Sequence, residues 1–200
     1  MPESAYRGVV LAGAPGCGKR TVAFALTSLR PTYAPFPALT AAPSAGLGAE
    51  STTGRHLADL RAWAQVFHEF DHAGDRYVHD HERLRTIRER GCVPVAWVED
   101  VAALTAFDRE SDDWLAVLLW CPRDEVERSL TQGDLSRRWT ADRAFRRSWD
   151  RAHRRLLGNL QRFTLTIRTD RLDAVDTARL VHLAVQSGHP SHPVERRIRT

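Results

Sequence analysis

Lysine is almost missing from this chain: of 29 basic residues one is a lysine, Lys19, and the rest are arginines. Cysteine is scarce too. Cys17, Cys92 and Cys121 are odd in number and scattered, and two of them fall in apolar runs that read as buried strands. That pattern implies no disulfide framework and no zinc site. Long hydrophobic runs are absent near the start of the chain, where the apolar stretch 8–14 is far too short to span a bilayer. It also lacks the basic flank and cleavage site of a secretory signal, so a cytoplasmic location without a membrane partner is expected. What remains, 200 residues that are 42% hydrophobic and 27% charged, suits a single domain over 1–187 with a sizeable core. Residues 188–200, rich in His, Pro and Arg, read as a disordered tail.

The solitary lysine stands in the run Gly13-Ala14-Pro15-Gly16-Cys17-Gly18-Lys19-Arg20-Thr21. Gly13, Gly18 and Lys19 satisfy G-x-x-x-x-G-K, and Gly16 adds a third flexible position. Glycines let the backbone curl so that successive N–H groups point inward, and the following helix adds the positive end of its dipole. The whole run is thus a cradle for the phosphates of a nucleotide. A compact ammonium serves there as a point charge, where a bulky guanidinium does not fit. The Ser or Thr that commonly follows the lysine and ligates Mg²⁺ is replaced by Arg20, with Thr21 one place later. Cys17, at a helix start, is a candidate for a lowered thiol pKa, although a small residue fitting a tight place explains it as well.

Along the chain, strand and helix patterns alternate. Residues 7–13 read as a buried strand, and a helix from Gly18 carries Val22, Ala25, Leu26 and Leu29 until Arg30-Pro31 stops it. The stretch 33–50 yields one short strand near 36–40. Thr53 caps a helix with Leu57, Leu60, Trp63, Ala64 and Phe67 on one face. A further helix over 80–90 ends at Gly91. Strand 92–99 ends in Glu99-Asp100, acids that either hold a cation or cap the helix 101–107 behind them. Strand 114–121, helices 122–130 and 142–160, strand 163–167 and helix 175–185 complete the pattern. The expected fold is α/β: a P-loop three-layer sandwich with a parallel sheet covered by helices on both faces. Ligands in such sheets bind at the carboxyl ends of the strands, which puts the loop and Glu99-Asp100 on one edge.

The net charge of +4 is unevenly placed: between 137 and 155 eight arginines face two acids, Asp142 and Asp150. In helix 142–160 Phe145, Trp149, Ala152, Leu156 and Leu160 share one arc, while Arg143, Arg146, Arg147, Arg151, Arg154 and Arg155 fill the other. Such a cluster attracts phosphate. Its arginines have no aromatics interleaved with them, so nucleic acid is not an expected partner. His72, His79, Asp80 and His81 suggest a metal cluster on paper, but their spacing at a helix start suits no known site geometry.

The loop form G-x-P-G-x-G-K-x-T resembles that of nucleoside monophosphate kinases. Residues 67–77, with Phe67-His68-Glu69-Phe70 and Gly74-Asp75-Arg76-Tyr77, are similar to the guanylate-kinase-like segment that carries a base-reading acid and a tyrosine beside the acceptor phosphate. Residues 118–124, Arg128 and Gly133-Asp134 resemble the strand, proline turn, helix and start of the lid in that branch. The resemblance runs from about 7 to 185 and implies an ATP-dependent kinase using Mg²⁺, with a nucleoside monophosphate or related phosphorylated acceptor. It assigns Lys19, Arg143 and Arg147 to catalysis, and Arg137 and Arg138 to the donor from a helical lid at about 134–155. Arg55, Glu69, Tyr77 and Glu99 fall to the acceptor, and Thr21 and Asp100 to Mg²⁺ through water. The chain departs from the pattern in having no arginine from 31 to 54 and Gln132 in place of a lid arginine. The alternative is a non-catalytic nucleotide-binding regulator.

Overall fold

A computed structural model describes residues 6–42, 48–72, 74–129 and 143–188. In chain order, strand β1 (Gly8–Ala12) leads into helix α1 (Lys19–Leu29), followed by β2 (Tyr33–Pro35), β3 (Leu39–Thr40) and β4 (Glu50–Ser51). Then come α2 (Gly54–Ala62), the hairpin β5 (Val66–His72) and β6 (Asp75–Asp80), and α3 (His81–Glu89). The chain continues through β7 (Val93–Val98), α4 (Val101–Glu110), β8 (Trp114–Trp120) and α5 (Arg123–Ser129). It closes with α6 (Arg143–Leu157), a 3₁₀ turn at Leu160–Arg162, β9 (Leu165–Arg168) and α7 (Ala174–Ser187).

Five strands form a wholly parallel sheet in the order β2-β7-β1-β8-β9. Because side chains alternate across a strand, β1 serves two cores. Val9 and Leu11 pack with Val22, Ala23 and Leu26 of α1 and with Val181 and Val185 of α7. Val10 and Ala12 pack on the other face with Leu84 of α3, Leu104 and Phe107 of α4, and Leu156 of α6. Burial on both faces is why β1 and β8 read as unbroken apolar runs. Each fully buried Leu or Phe contributes about 1.5–3 kcal/mol, and Leu26→Ala costs about 2–5 kcal/mol. The expected three-layer α/β sandwich is the observed one. Among the described residues no helix is long and apolar enough to cross a membrane.

A second, four-stranded sheet in the order β4-β3-β6-β5 was not expected. The helix predicted to reach Phe67 ends at Ala62, Phe67 belongs to β5, and Trp63 is 66% exposed. Ala64 adopts φ 51°, Ala64 N–H donates to the Arg61 carbonyl at 3.0 Å, and Gln65 N–H donates to the Leu60 carbonyl at 2.8 Å. This is a Schellman end built on alanine rather than glycine, so no glycine announced it. The small sheet packs Leu39 and Val78 against Leu57 and Leu60 of α2. Thr53 Oγ1 accepts from His56 N–H at 3.1 Å and starts α2 as expected. The lid expected over 134–155 is described from Arg143 onward as α6; residues 134–142 and the tail from 189 lie outside the described residues.

Candidate functional site

Three elements converge at the carboxyl edge of the parallel sheet. The first is the loop after β1. Gly13 N–H donates to the Val98 carbonyl at 3.2 Å, and a Cβ on Gly13 would sit 2.6 Å from the Leu119 carbonyl, so only glycine fits between β7 and β8. Gly18, at φ 79°, opens α1 without any side-chain cap, leaving the helix N-terminus to a ligand. Lys19 Nζ donates to the carbonyls of Gly13 at 2.8 Å and Ala14 at 3.0 Å and pairs with Glu99 Oε1 at 3.1 Å. The ammonium's three donors are therefore spoken for.

Glu99 and Asp100 follow β7. Asp100 Oδ1 accepts from Ala103 N–H at 2.7 Å and so caps α4, the local role an acid takes there. Thr21 and Arg20 are exposed in the first turn of α1 and line, with Phe24, Gly48 and Ala49, a shallow recess beside the main cavity. Cys17 is buried, and burial pushes its thiol pKa up against the pull of Lys19. Cys17 is a packing residue, not an activated thiolate.

The third element is α6. Trp149, fully buried, donates its indole N–H to the Pro15 carbonyl at 2.8 Å and stacks on His153 at 4.6 Å, pinning this helix to the loop. The helix thereby brings Arg151 and Arg155 to a cavity of about 190 Å³. Its other walls come from β5, through His68, Phe70 and Asp71, and from the end of β7, through Trp97, Glu99 and Asp100.

The structure brings some expected residues together and separates others. Lys19 and Glu99 meet at 3.1 Å, and Asp100, next to Glu99, turns its carboxylate to the start of α4. Arg147 is exposed and is not among the cavity-lining residues; Arg151 and Arg155, one and two turns further on, are. The backbone of Arg143 begins α6, while its side chain and all of Arg137 and Arg138 lie outside the described residues. Glu69 does not line the cavity: it pairs with Arg61 and Arg76, both at 3.1 Å. Tyr77 is buried, stacks on its cross-strand partner Phe70 at 5.2 Å and is not among the cavity-lining residues. Arg55 is exposed in the first turn of α2. Of the four residues that suggested a metal cluster, Asp80 caps α3 through Arg83 N–H, and His81 pairs with Glu110 at 3.0 Å. Among the described residues no group of three metal-ligating side chains exists.

Sequence reasoning missed the contribution of β5 and the choice of arginines. Ring side chains at 68, 70 and 72 recur every second residue, which is the strand signal that was available.

This architecture is a P-loop kinase-like fold. Among solved structures it is similar to guanylate kinase from Anaplasma phagocytophilum, with a TM-score of 0.63 and 13% identity over 94% of this chain and 89% of that one. It is similar also to shikimate kinase from Acinetobacter baumannii in complex with shikimate, with a TM-score of 0.51 and 15% identity over 92% of this chain and 94% of that one. A sugar kinase from Janibacter sp. matches with a TM-score of 0.51 and 14% identity over 94% of this chain and 99% of that one. No protein-family model matches the chain, and no curated protein does. At such identities the likeness is one of fold, and the acceptor has to be argued from side chains.

Proposed function

We propose that this protein is an ATP-dependent small-molecule kinase that moves the γ-phosphate of ATP to an acceptor already bearing a phosphate, a nucleoside monophosphate such as GMP or a related compound. The observation that carries this reading is the Lys19–Glu99 pair at 3.1 Å on a cavity whose α6 wall bears Arg151 and Arg155. Through Glu99 the polyphosphate cradle thus adjoins the cavity that two guanidiniums line.

The residues suit the donor. Gly13 leaves the backbone room to turn, and the N-terminus of α1 is free of side-chain caps. They suit Mg²⁺ in its usual manner, held by phosphate oxygens and water with few protein ligands: Thr21, Glu99 and Asp100 are the oxygens at hand. Bound there, the ion would neutralise charge on the phosphates. Lys19 would exchange its Glu99 contact for the donor's β and γ phosphates, freeing the carboxylate to orient water. Arg143 and Arg147, with Arg137 and Arg138, remain the candidates for covering the transferring phosphate, while Arg151 and Arg155 would bind and orient the acceptor phosphate. Because the Glu69 carboxylate is already taken by two arginines, we assign the far end of the acceptor to His68, Phe70 and Trp97.

An ATP-coupled screen across nucleoside monophosphates and small phosphorylated metabolites tests the reading. Turnover with one of them that collapses in Lys19→Ala is expected; a fully active Lys19→Ala protein sinks it. One observation favours the second reading, a nucleotide-binding regulator. Arg20 occupies the position next to the lysine where a metal-ligating hydroxyl commonly stands. ATP binding without turnover on the whole acceptor panel would establish that alternative.

A further inference from the structure

His68 of β5 and His79 of β6 are cross-strand partners whose Nδ1 atoms lie 3.1 Å apart. At that distance the two nitrogens share one proton, so one ring donates and the other accepts. The surroundings decide which. His79 is 1% exposed and enclosed by Phe36, Phe67 and Phe107, with centroids at 5.4, 6.1 and 5.1 Å, and its Nε2 is buried without a partner. A proton on that Nε2 would bury an unpaired N–H among phenyl rings, whereas a bare Nε2 leaves only an idle lone pair, the smaller cost. His79 therefore holds its proton on Nδ1 and donates it to His68 Nδ1. His68 must then carry its own proton on Nε2. That nitrogen has no partner among the described residues and is not enclosed, and His68 lines the cavity beside Phe70, whose ring stacks on it at 5.2 Å.

The geometry points to His68 as a fixed, uncharged N–H donor in the acceptor cavity, its tautomer set by the buried His79. The ligand at this wall then presents a neutral lone pair, the carbonyl oxygen or ring nitrogen of a flat heterocycle lying along Phe70, with its phosphate toward Arg151 and Arg155. The identity of the ligand as phosphoryl acceptor rests on the kinase reading; the tautomer does not. His68 is equally excluded as a general base, because its one lone pair already accepts the His79 proton. Protonating His68 would force His79 to move its proton onto the orphan nitrogen. Burial acts in the same direction, holding His68 below its usual pKa and His79 well below.

Two measurements on the full chain test this. In the ¹⁵N-histidine-labelled protein, a two-bond ¹H–¹⁵N correlation spectrum at neutral pH should show His68 as the Nε2–H tautomer and His79 as Nδ1–H. In His79→Phe, His68 should populate both tautomers. The opposite tautomers, or a charged ring, overturn the assignment. In kinetics with ATP and GMP, His68→Ala should raise the GMP KM about five- to tenfold, the loss expected for one neutral hydrogen bond, with kcat held within about twofold. His68→Gln, which keeps an N–H donor, should recover most of the loss. A collapse of kcat by about a hundredfold or more would make His68 a proton-transfer group, and an unchanged KM would remove it from the ligand; either result refutes the inference. If the unaltered protein does not turn over GMP, that result counts against the acceptor reading alone, and the ring-nitrogen spectrum still upholds or overturns the His68 assignment.

Discussion

The Lys19–Glu99 pair can be isolated by a double-mutant cycle of Lys19→Ala, Glu99→Ala and the combination. At 3.1 Å the Coulomb attraction is about 5 kcal/mol at an effective dielectric of about 20. Desolvation offsets most of it, since the lysine side chain is 8% exposed and the glutamate 27%. A net coupling of about 1–2 kcal/mol remains. Lys19→Ala also strips the donor from the Gly13 and Ala14 carbonyls, so the single variant should lose about 2–3 kcal/mol. For a chain of 200 residues that lowers Tm by about 5–10 °C. Thermal unfolding of the four proteins in parallel, each with and without ATP, reads both terms. Glu99→Gln should tighten binding of metal-free ATP severalfold, because the lysine is released to the phosphates and a repelling carboxylate is gone. Coupling below about 0.3 kcal/mol, or weaker ATP binding by Glu99→Gln, would refute the reasoning, for then the pair neither holds the loop nor competes with phosphate.

Trp149→Phe, which keeps a ring but removes the N–H to the Pro15 carbonyl, should cost about 1 kcal/mol and about 2–4 °C in a thermal melt, whereas Trp149→Ala should cost about 3–5 kcal/mol. Arg151→Ala and Arg155→Ala should each lower kcat/KM for the acceptor about tenfold or more with little change in Tm; the control is Arg154→Ala, an exposed arginine off the cavity, and an equal loss there would show a general charge effect. Stability should also fall in mild acid. His79 is held neutral below its unfolded pKa of 6.5, so the unfolded chain takes up its proton first. Its contribution is complete above that pH and is lost as pH falls toward the folded value, with a slope of up to about 1.4 kcal/mol per pH unit. Denaturant titrations from neutral pH downward should show that loss, and His79→Phe should flatten it.

How much of this was legible depended on whether a local rule or a tertiary contact decided the outcome. The loop, α1 and the apolar strands announce themselves because glycine spacing and unbroken hydrophobic runs are local. Helices α2 and α3 make the contrast plain. Both end in Schellman turns, but α3 closes on Gly91 at φ 71°, a stop visible in the sequence, while α2 closes on Ala64, which nothing local separates from an apolar period running on to Phe67. Without a visible stop, the β5–β6 hairpin and with it one wall of the cavity stay hidden in the sequence. The arginines were visible as a helical face, yet which of them meets the cavity is fixed by the anchoring of Trp149 to Pro15, a contact 134 residues apart in sequence. Glu69 illustrates the same limit: its neighbours Arg61 and Arg76 claim it through strand and helix placement that no spacing reveals.

The burial of Lys19 has a chemical corollary. Apart from the chain's amino terminus, this protein offers acylating and Schiff-base-forming reagents one amine, and that amine is enclosed and hydrogen-bonded to two carbonyls and a carboxylate. An amine-directed label therefore becomes a stoichiometric clock for opening of the phosphate loop, counted on a single residue without any engineered site.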